Sequence, residues 1–144
     1  MANPPQTYAN HRAIPSQSFI VTGLVFAAAI IWQGIILARA PSTEAVMGLL
    51  VARGLMAVLF ASRRNAQIMQ DRIIRLEMRL RLERLLPPVR HGDLAKLSLP
   101  QVIALRFASD AELPALVDKT LAESLKPDAI KRQITAWQAD WLRV

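Results

Sequence analysis

The sequence predicts an all-α membrane protein: a two-helix transmembrane hairpin, its second span continuing into a long basic cytoplasmic helix, then a small all-α C-terminal bundle. Three observations predict it. Phe19–Ala38 (FIVTGLVFAAAIIWQGIILA) is an apolar run without a charge. A second apolar run, Ala45–Ala61, passes into an arginine-rich segment, with no Gly or Pro between Leu55 and Leu86. The formal charge of +7 arises wholly before residue 91, where eleven Arg face four acids; beyond it seven bases balance seven acids. The expected division is a polar cytoplasmic N-terminus (1–17), the hairpin (18–62), a basic amphipathic stalk helix (63–86) and a small cytoplasmic domain (87–144).

The first span is long enough to cross the ~30 Å hydrocarbon core at ~1.5 Å per residue. Its eleven Leu, Ile, Val and Phe residues each favour insertion by roughly 0.3–0.6 kcal/mol. A cleaved signal peptide is the rival reading, because Ala38-Arg39-Ala40 has a small-x-small form. The apolar run is too long for a signal h-region and its N-terminal flank too weakly basic.

The second span carries Arg53 near its centre. Its eight Leu, Val and Phe residues contribute roughly −2.5 to −5 kcal/mol, against about +2.5 to +3.5 for a central Arg. Such a segment inserts best as the partner of the first, and Pro41 followed by Ser-Thr-Glu supplies the turn and helix start. Arg63 and Arg64 follow the second span directly, so the positive-inside rule places the C-terminus, and with it the N-terminus, in the cytoplasm. At that depth each Arg gains ~1 kcal/mol from anionic headgroups.

In such a hairpin Arg53 leans toward its own N-terminus, to the depth of Gln33. An Arg53–Gln33 hydrogen bond is one expectation, with the Trp32 ring alongside. An intramembrane charge is also a functional candidate. Gln33 leaves that charge uncompensated, so a carboxylate on another subunit, a lipid headgroup or a cofactor would satisfy Arg53 better. Gly23, Ala27, Gly34 and Ala38 on the first span, with Gly48 and Ala52 on the second, form small-residue rows suited to close helix packing. These rows serve either the hairpin itself or a seam with another subunit.

On the stalk, Met69, Ile73, Leu76 and Leu80 fall on one stripe, and Ile74, Met78, Leu82 and Leu85 on a nearly opposite one. Asp71–Arg75 and Glu77–Arg81 have the spacing of i,i+4 ion pairs. A helix apolar on two sides needs two covers: the chain's own C-terminal domain, and a second copy or another protein. Leu86-Pro87-Pro88 ends this helix. Helix starts follow at Ser98-Leu99-Pro100-Gln101 and at the capping-box sequence Ser109-Asp110-Ala111-Glu112, whose helix should run toward Ser124. Pro127-Asp128 opens a last helix, with Ile130, Ile134, Trp137 and Trp141 as its apolar stripe.

Four segments, QTYANHR (Gln6–Arg12), QDRIIRLEMRLR (Gln70–Arg81), ALRFASDAELPALV (Ala104–Val117) and WQADWLRV (Trp137–Val144), resemble signatures of a family of small bacterial two-span membrane proteins, a domain of unknown function. The resemblance covers nearly the whole chain. It implies the two-span architecture in a bacterial membrane, and lends no activity. Ala13 stands where the family often has a second base after Arg12, which weakens that point as a lipid or partner contact.

No catalytic constellation is legible. The absence of cysteine excludes disulfides, thiolate metal sites and a cysteine nucleophile. His11 and His91 lack metal-ligand spacing, and His91, before Gly92-Asp93, reads as a loop residue. There is no phosphate-binding Gly loop and no nucleophile elbow. The pI near 11.0 suggests nucleic acid, but the basic helix has no interleaved aromatics for base stacking. The expectation is therefore not an enzyme and not a nucleic-acid binder. It is an accessory or scaffolding subunit of a larger inner-membrane complex, an energy-converting one being a candidate, whose partners are other membrane subunits or itself and anionic lipid headgroups. The alternative is a self-assembling channel or sensor with Arg53 lining the path. No cofactor is predicted; a bound lipid or pigment is compatible with the sequence.

Overall fold

The computed structural model describes residues 5–11 and 14–140. The regular elements among them are helices, with no β-strand. The expectations placed on Arg12, Ala13 and Trp141 lie outside the described residues. Helix α1 spans Gln17–Arg39 and is capped by Ser16, whose Oγ accepts the Phe19 N–H at 3.3 Å. Helix α2 runs unbroken over Thr43–Leu85. Ser42 Oγ accepts the Ala45 N–H at 3.2 Å at its start. Glu44 in the first turn and Arg84 in the last both oppose the helix dipole favourably. Pro87 stops α2, because the residue before a proline avoids helical backbone angles.

A 3₁₀ segment, Pro88–Lys96, follows; no local signal marks it in advance. Then come α3 (Leu99–Leu105), α4 (Leu113–Glu123) and α5 (Pro127–Gln133). At the expected α3 start, Gln101 Oε1 accepts from both Ser98 N–H and Ser98 Oγ, each at 2.9 Å. Helix α4 begins at Leu113, later than Ser109 suggested. Glu112 does reach back to the Ser109 N–H at 3.2 Å, but the same carboxylate also takes the Thr135 N–H, the Thr135 hydroxyl and the Ala136 N–H. Ser124 closes α4 in the left-handed region, at φ 49°.

That carboxylate also corrects the last helix. The stripe Ile130–Ile134–Trp137 expected on one helix is broken, because α5 ends at Gln133. Amides held by Glu112 are lost to an α-helical ladder, and a side chain offering such bonds competes with helix propagation. Trp137 instead meets Ala108 in an isolated antiparallel bridge, and the Gln138 N–H donates to the Phe107 carbonyl at 2.7 Å.

The chain divides into two compact units. One comprises 13–68, that is α1 and the first part of α2. The other comprises 69–143 together with residues 1–12. In the second unit Phe107, Leu105, Leu113, Val117 and Ile130 are fully enclosed and pack with Ile74, Met78 and Leu82 of α2 and with Leu86 just beyond it. Burying each such side chain is worth about 1.5–3 kcal/mol.

Candidate functional site

The four sequence motifs meet in one place, within the unit that holds both the N-terminal segment and the C-terminal domain. From the first motif, Gln6 is 3 % exposed. Its Oε1 accepts the Asp140 N–H at 2.9 Å and its Nε2 donates to the Asp140 carbonyl at 3.4 Å. Tyr8 donates its hydroxyl to Asp128 Oδ1 at 2.6 Å, under the Arg132 guanidinium, 5.1 Å from the ring centroid. His11 is buried among Tyr8, Phe107 and Trp137, with ring centroids 5.6–5.9 Å away. Its Nδ1–H donates to the Tyr8 carbonyl at 2.6 Å, so Nε2 is left to accept from Lys131 Nζ at 3.1 Å.

The second and third motifs join through arginine. Arg81 is largely buried. It bonds Asp110 at 2.6 Å and the carbonyls of Arg106 and Ala108 at 3.1 and 2.7 Å. Arg106 lies over the Phe107 ring and pairs with Asp140 Oδ2 at 3.1 Å, which ties in the fourth motif. The ion pair expected between Glu77 and Arg81 is therefore absent. Arg81 is drawn away by a carboxylate and two carbonyls that give its planar fork more partners than one exposed Glu. Asp71 and Arg75 are likewise unpaired among the described residues. Beside this junction lies a cleft of about 250 Å³, lined by Ile74, Glu77, Met78, Arg81, Arg106 and Asp140.

Asp128 and Glu112 of this unit sit below the usual carboxylate range. The Tyr8 hydroxyl, then Arg132, holds Asp128 down. Burial pushes Glu112 up, but the hydrogen bonds from Thr135, Ser109 and Ala136 outweigh it and hold it down. Both therefore remain charged and act as acceptors. Most of these residues stand in the sequence motifs or at helix caps, where nothing local marks their partners.

In the other unit, α1 and α2 touch along a shared seam. Ala45 and Ala52 are buried, and Gly48 lies against Gln33, close enough that a Cβ there would come within 2.8 Å of Gln33 Cδ. Gly23 faces Leu59, Phe19 meets Phe60 edge-on at 5.8 Å, and Arg63 covers the Phe19 ring at 4.8 Å. Ala27 is half-buried, while Gly34 has open space about it, and Ala38 and Arg64 are exposed. The small-residue rows are thus split between a closed and an open part.

Arg53 is exposed, and among the described residues it makes neither a hydrogen bond nor an ion pair. The expected Arg53–Gln33 bond does not form. Gln33 is spent on Gly48, and Arg53, one residue past the buried Ala52, turns about 100° away from the seam. Trp32 is also exposed and does not cover it.

On the stalk the two apolar stripes have different fates. Ile74, Met78 and Leu82 are buried and Leu85 packs against them, all in the core of the C-terminal domain. Met69, Ile73, Leu76 and Leu80 are each more than half exposed. No group of three metal-ligating side chains occurs among the described residues.

The fold and its surfaces define an all-helical protein with two helices, α1 and α2, long and apolar enough to cross a membrane. The whole chain, residues 1–144, matches the family of unknown function (DUF6526), and the protein belongs to that family. No curated protein and no solved structure matches it.

Proposed function

We propose that this protein is a two-span subunit of a bacterial inner-membrane assembly, non-catalytic, serving to scaffold its neighbours. Helix α1 has no buried residue, unlike the core helix of a soluble domain, and its 23 residues suit a bilayer core of ~30 Å. The grouping of residues 1–12 with 69–143 in one unit supports a double crossing, since only an even number of spans returns both ends to one side. Arg63 and Arg64 favour the cytoplasm for that side.

The observation that carries the subunit role is Arg53. A guanidinium in the middle of an apolar run, turned from its own hairpin and unpaired among the described residues, costs roughly 2.5–3.5 kcal/mol on insertion. An acidic side chain on a foreign membrane subunit would offset that cost and fix the register of the two proteins.

Purification in mild detergent tests this. The wild-type chain should carry foreign membrane subunits with it, and Arg53→Leu should lose them while remaining membrane-inserted. Retention of the same subunits by Arg53→Leu would overturn the role given to the charge.

A further inference from the structure

The exposed stalk stripe has the spacing of a coiled-coil seam. Met69, Ile73, Leu76 and Leu80 follow one another by four, three and four residues, which places Ile73 and Leu80 at a positions and Met69 and Leu76 at d positions of a heptad. A β-branched residue at a with Leu at d is the combination that favours two parallel strands, and Ile73 with Leu76 supplies it.

The flanks carry a matching charge pattern. In this register Arg72 is a g residue and Glu77 the following e residue, the pair that meets between parallel strands. Neither is used within its own chain. Glu77 has no hydrogen bond or ion pair among the described residues, and the polar contact of Arg72 is the Met69 sulfur at 3.9 Å. We propose that this stripe is the seam of a parallel coiled coil with a second copy of the same chain, clamped on each side by Arg72 of one copy and Glu77 of the other.

An antiparallel pairing sets g against g, and so Arg72 against Arg79 of the second copy. The parallel pairing has one opposed site, Arg79 against Arg84, and there Arg79 is already held by its own Glu83 at 2.8 Å. The parallel direction also follows from the reading of α2 as a span, on which this proposal rests: two copies inserted the same way leave the bilayer side by side. Confinement to one membrane raises their local concentration, which a seam this short requires.

The chain has no cysteine, so single cysteines report cleanly in full-length protein in its own membranes. Under mild oxidation Met69→Cys and Leu80→Cys should each give a species of twice the 16.0 kDa chain mass, because in a parallel seam each residue meets itself. Arg75→Cys, off the seam, should not. Adding Arg72→Glu to Leu80→Cys should cut the cross-linked fraction about 10-fold, the scale of turning attractive pairs repulsive on both flanks, and Glu77→Arg should restore it. Cross-linking that appears only between mixed Met69→Cys and Leu80→Cys copies, or only to a foreign protein, would overturn the proposal. Membranes are washed with alkaline carbonate first. Retained chain that never cross-links at these positions sinks the coiled coil alone, whereas release of the chain sinks the spanning reading beneath it.

Discussion

Gln6 holds Asp140 by the backbone, accepting its N–H at 2.9 Å and donating to its carbonyl at 3.4 Å. A primary amide can do this because it carries a donor and an acceptor side by side, as a peptide group does. The contact joins the segment before the first apolar helix to the last described residue of the chain. It gives two-sided anchorage to a segment that has no helix or strand of its own.

Replacing Gln6 with Ala should therefore loosen the N-terminal segment without unfolding the α-helical core. The loss of two largely buried hydrogen bonds is worth about 1–3 kcal/mol. Hydrogen exchange should show faster amides at residues 6–11 and at Asp140, with Leu105 and Val117 unchanged. Gln6→Glu should loosen it more, because a carboxylate would face the Asp140 carbonyl with no proton to offer. Unchanged exchange at Asp140 in both variants would show that the clasp contributes nothing.

Acid should act on the same unit. Asp128 and Glu112 titrate below their ordinary values in the folded chain. Such groups add stability that is fully present above the unfolded pKa and lost as pH falls through the folded one. Stability should thus be level from neutral pH down to about 5 and decline below about 4. Asp128→Asn and Glu112→Gln should each flatten that decline. Urea unfolding of the purified protein across this range provides the check, and a decline beginning near pH 6 would point to other groups.

How much of this was legible follows from the separation of the interacting residues. The limits of α2 were, since its seeding Ser42, its long stretch without Gly or Pro and its terminal Pro87 are all local. The burial of Ile74, Met78 and Leu82 was visible as a stripe, and so was the need to cover its opposite. The path after Gln133 was not, because it is set by a carboxylate on Glu112, 23 residues before Thr135. Tyr8–Asp128 and Gln6–Asp140 lie further apart still, at 120 and 134 residues. Motif resemblance marked both ends of Gln6–Asp140 but only the Tyr8 end of Tyr8–Asp128, and gave no means to pair them. Arg53–Gln33 failed for a geometric reason: matching depth in the bilayer says nothing about which way each side chain faces around its helix.

Arg81 should be the most sensitive single position in the motif junction. Its guanidinium satisfies the carbonyls of Arg106 and Ala108 and the carboxylate of Asp110 at once. Arg81→Ala strips two carbonyls of their partner and should cost roughly 2–4 kcal/mol. Arg81→Lys should recover less than half of this, because an ammonium lacks the planar fork that reaches all three acceptors. Thermal unfolding of the three proteins side by side measures the effect. Equal stability of the Lys variant and the wild type would reduce Arg81 to a plain charge.

The two glycines Gly48 and Gly34 should respond in opposite ways to the same enlargement, although sequence spacing put both among the packing residues. A Cβ at Gly48 would come within 2.8 Å of Gln33 Cδ, whereas nothing lies within 4 Å of a Cβ built at Gly34. Gly48→Ala should be nearly neutral, since the end of the Gln33 side chain can swing aside. Gly48→Leu has no such escape, and overpacking should destabilise the pairing of α1 with α2 by about 1–3 kcal/mol. Gly34→Leu should leave that pairing intact, so that any effect it has on copurifying subunits would mark the open part of the row as an intersubunit face. Thermal unfolding in detergent, read by the distance between labels on α1 and α2, separates the two positions. If Gly34→Leu parted the helices as far as Gly48→Leu does, the division of the row into a closed and an open part would fail.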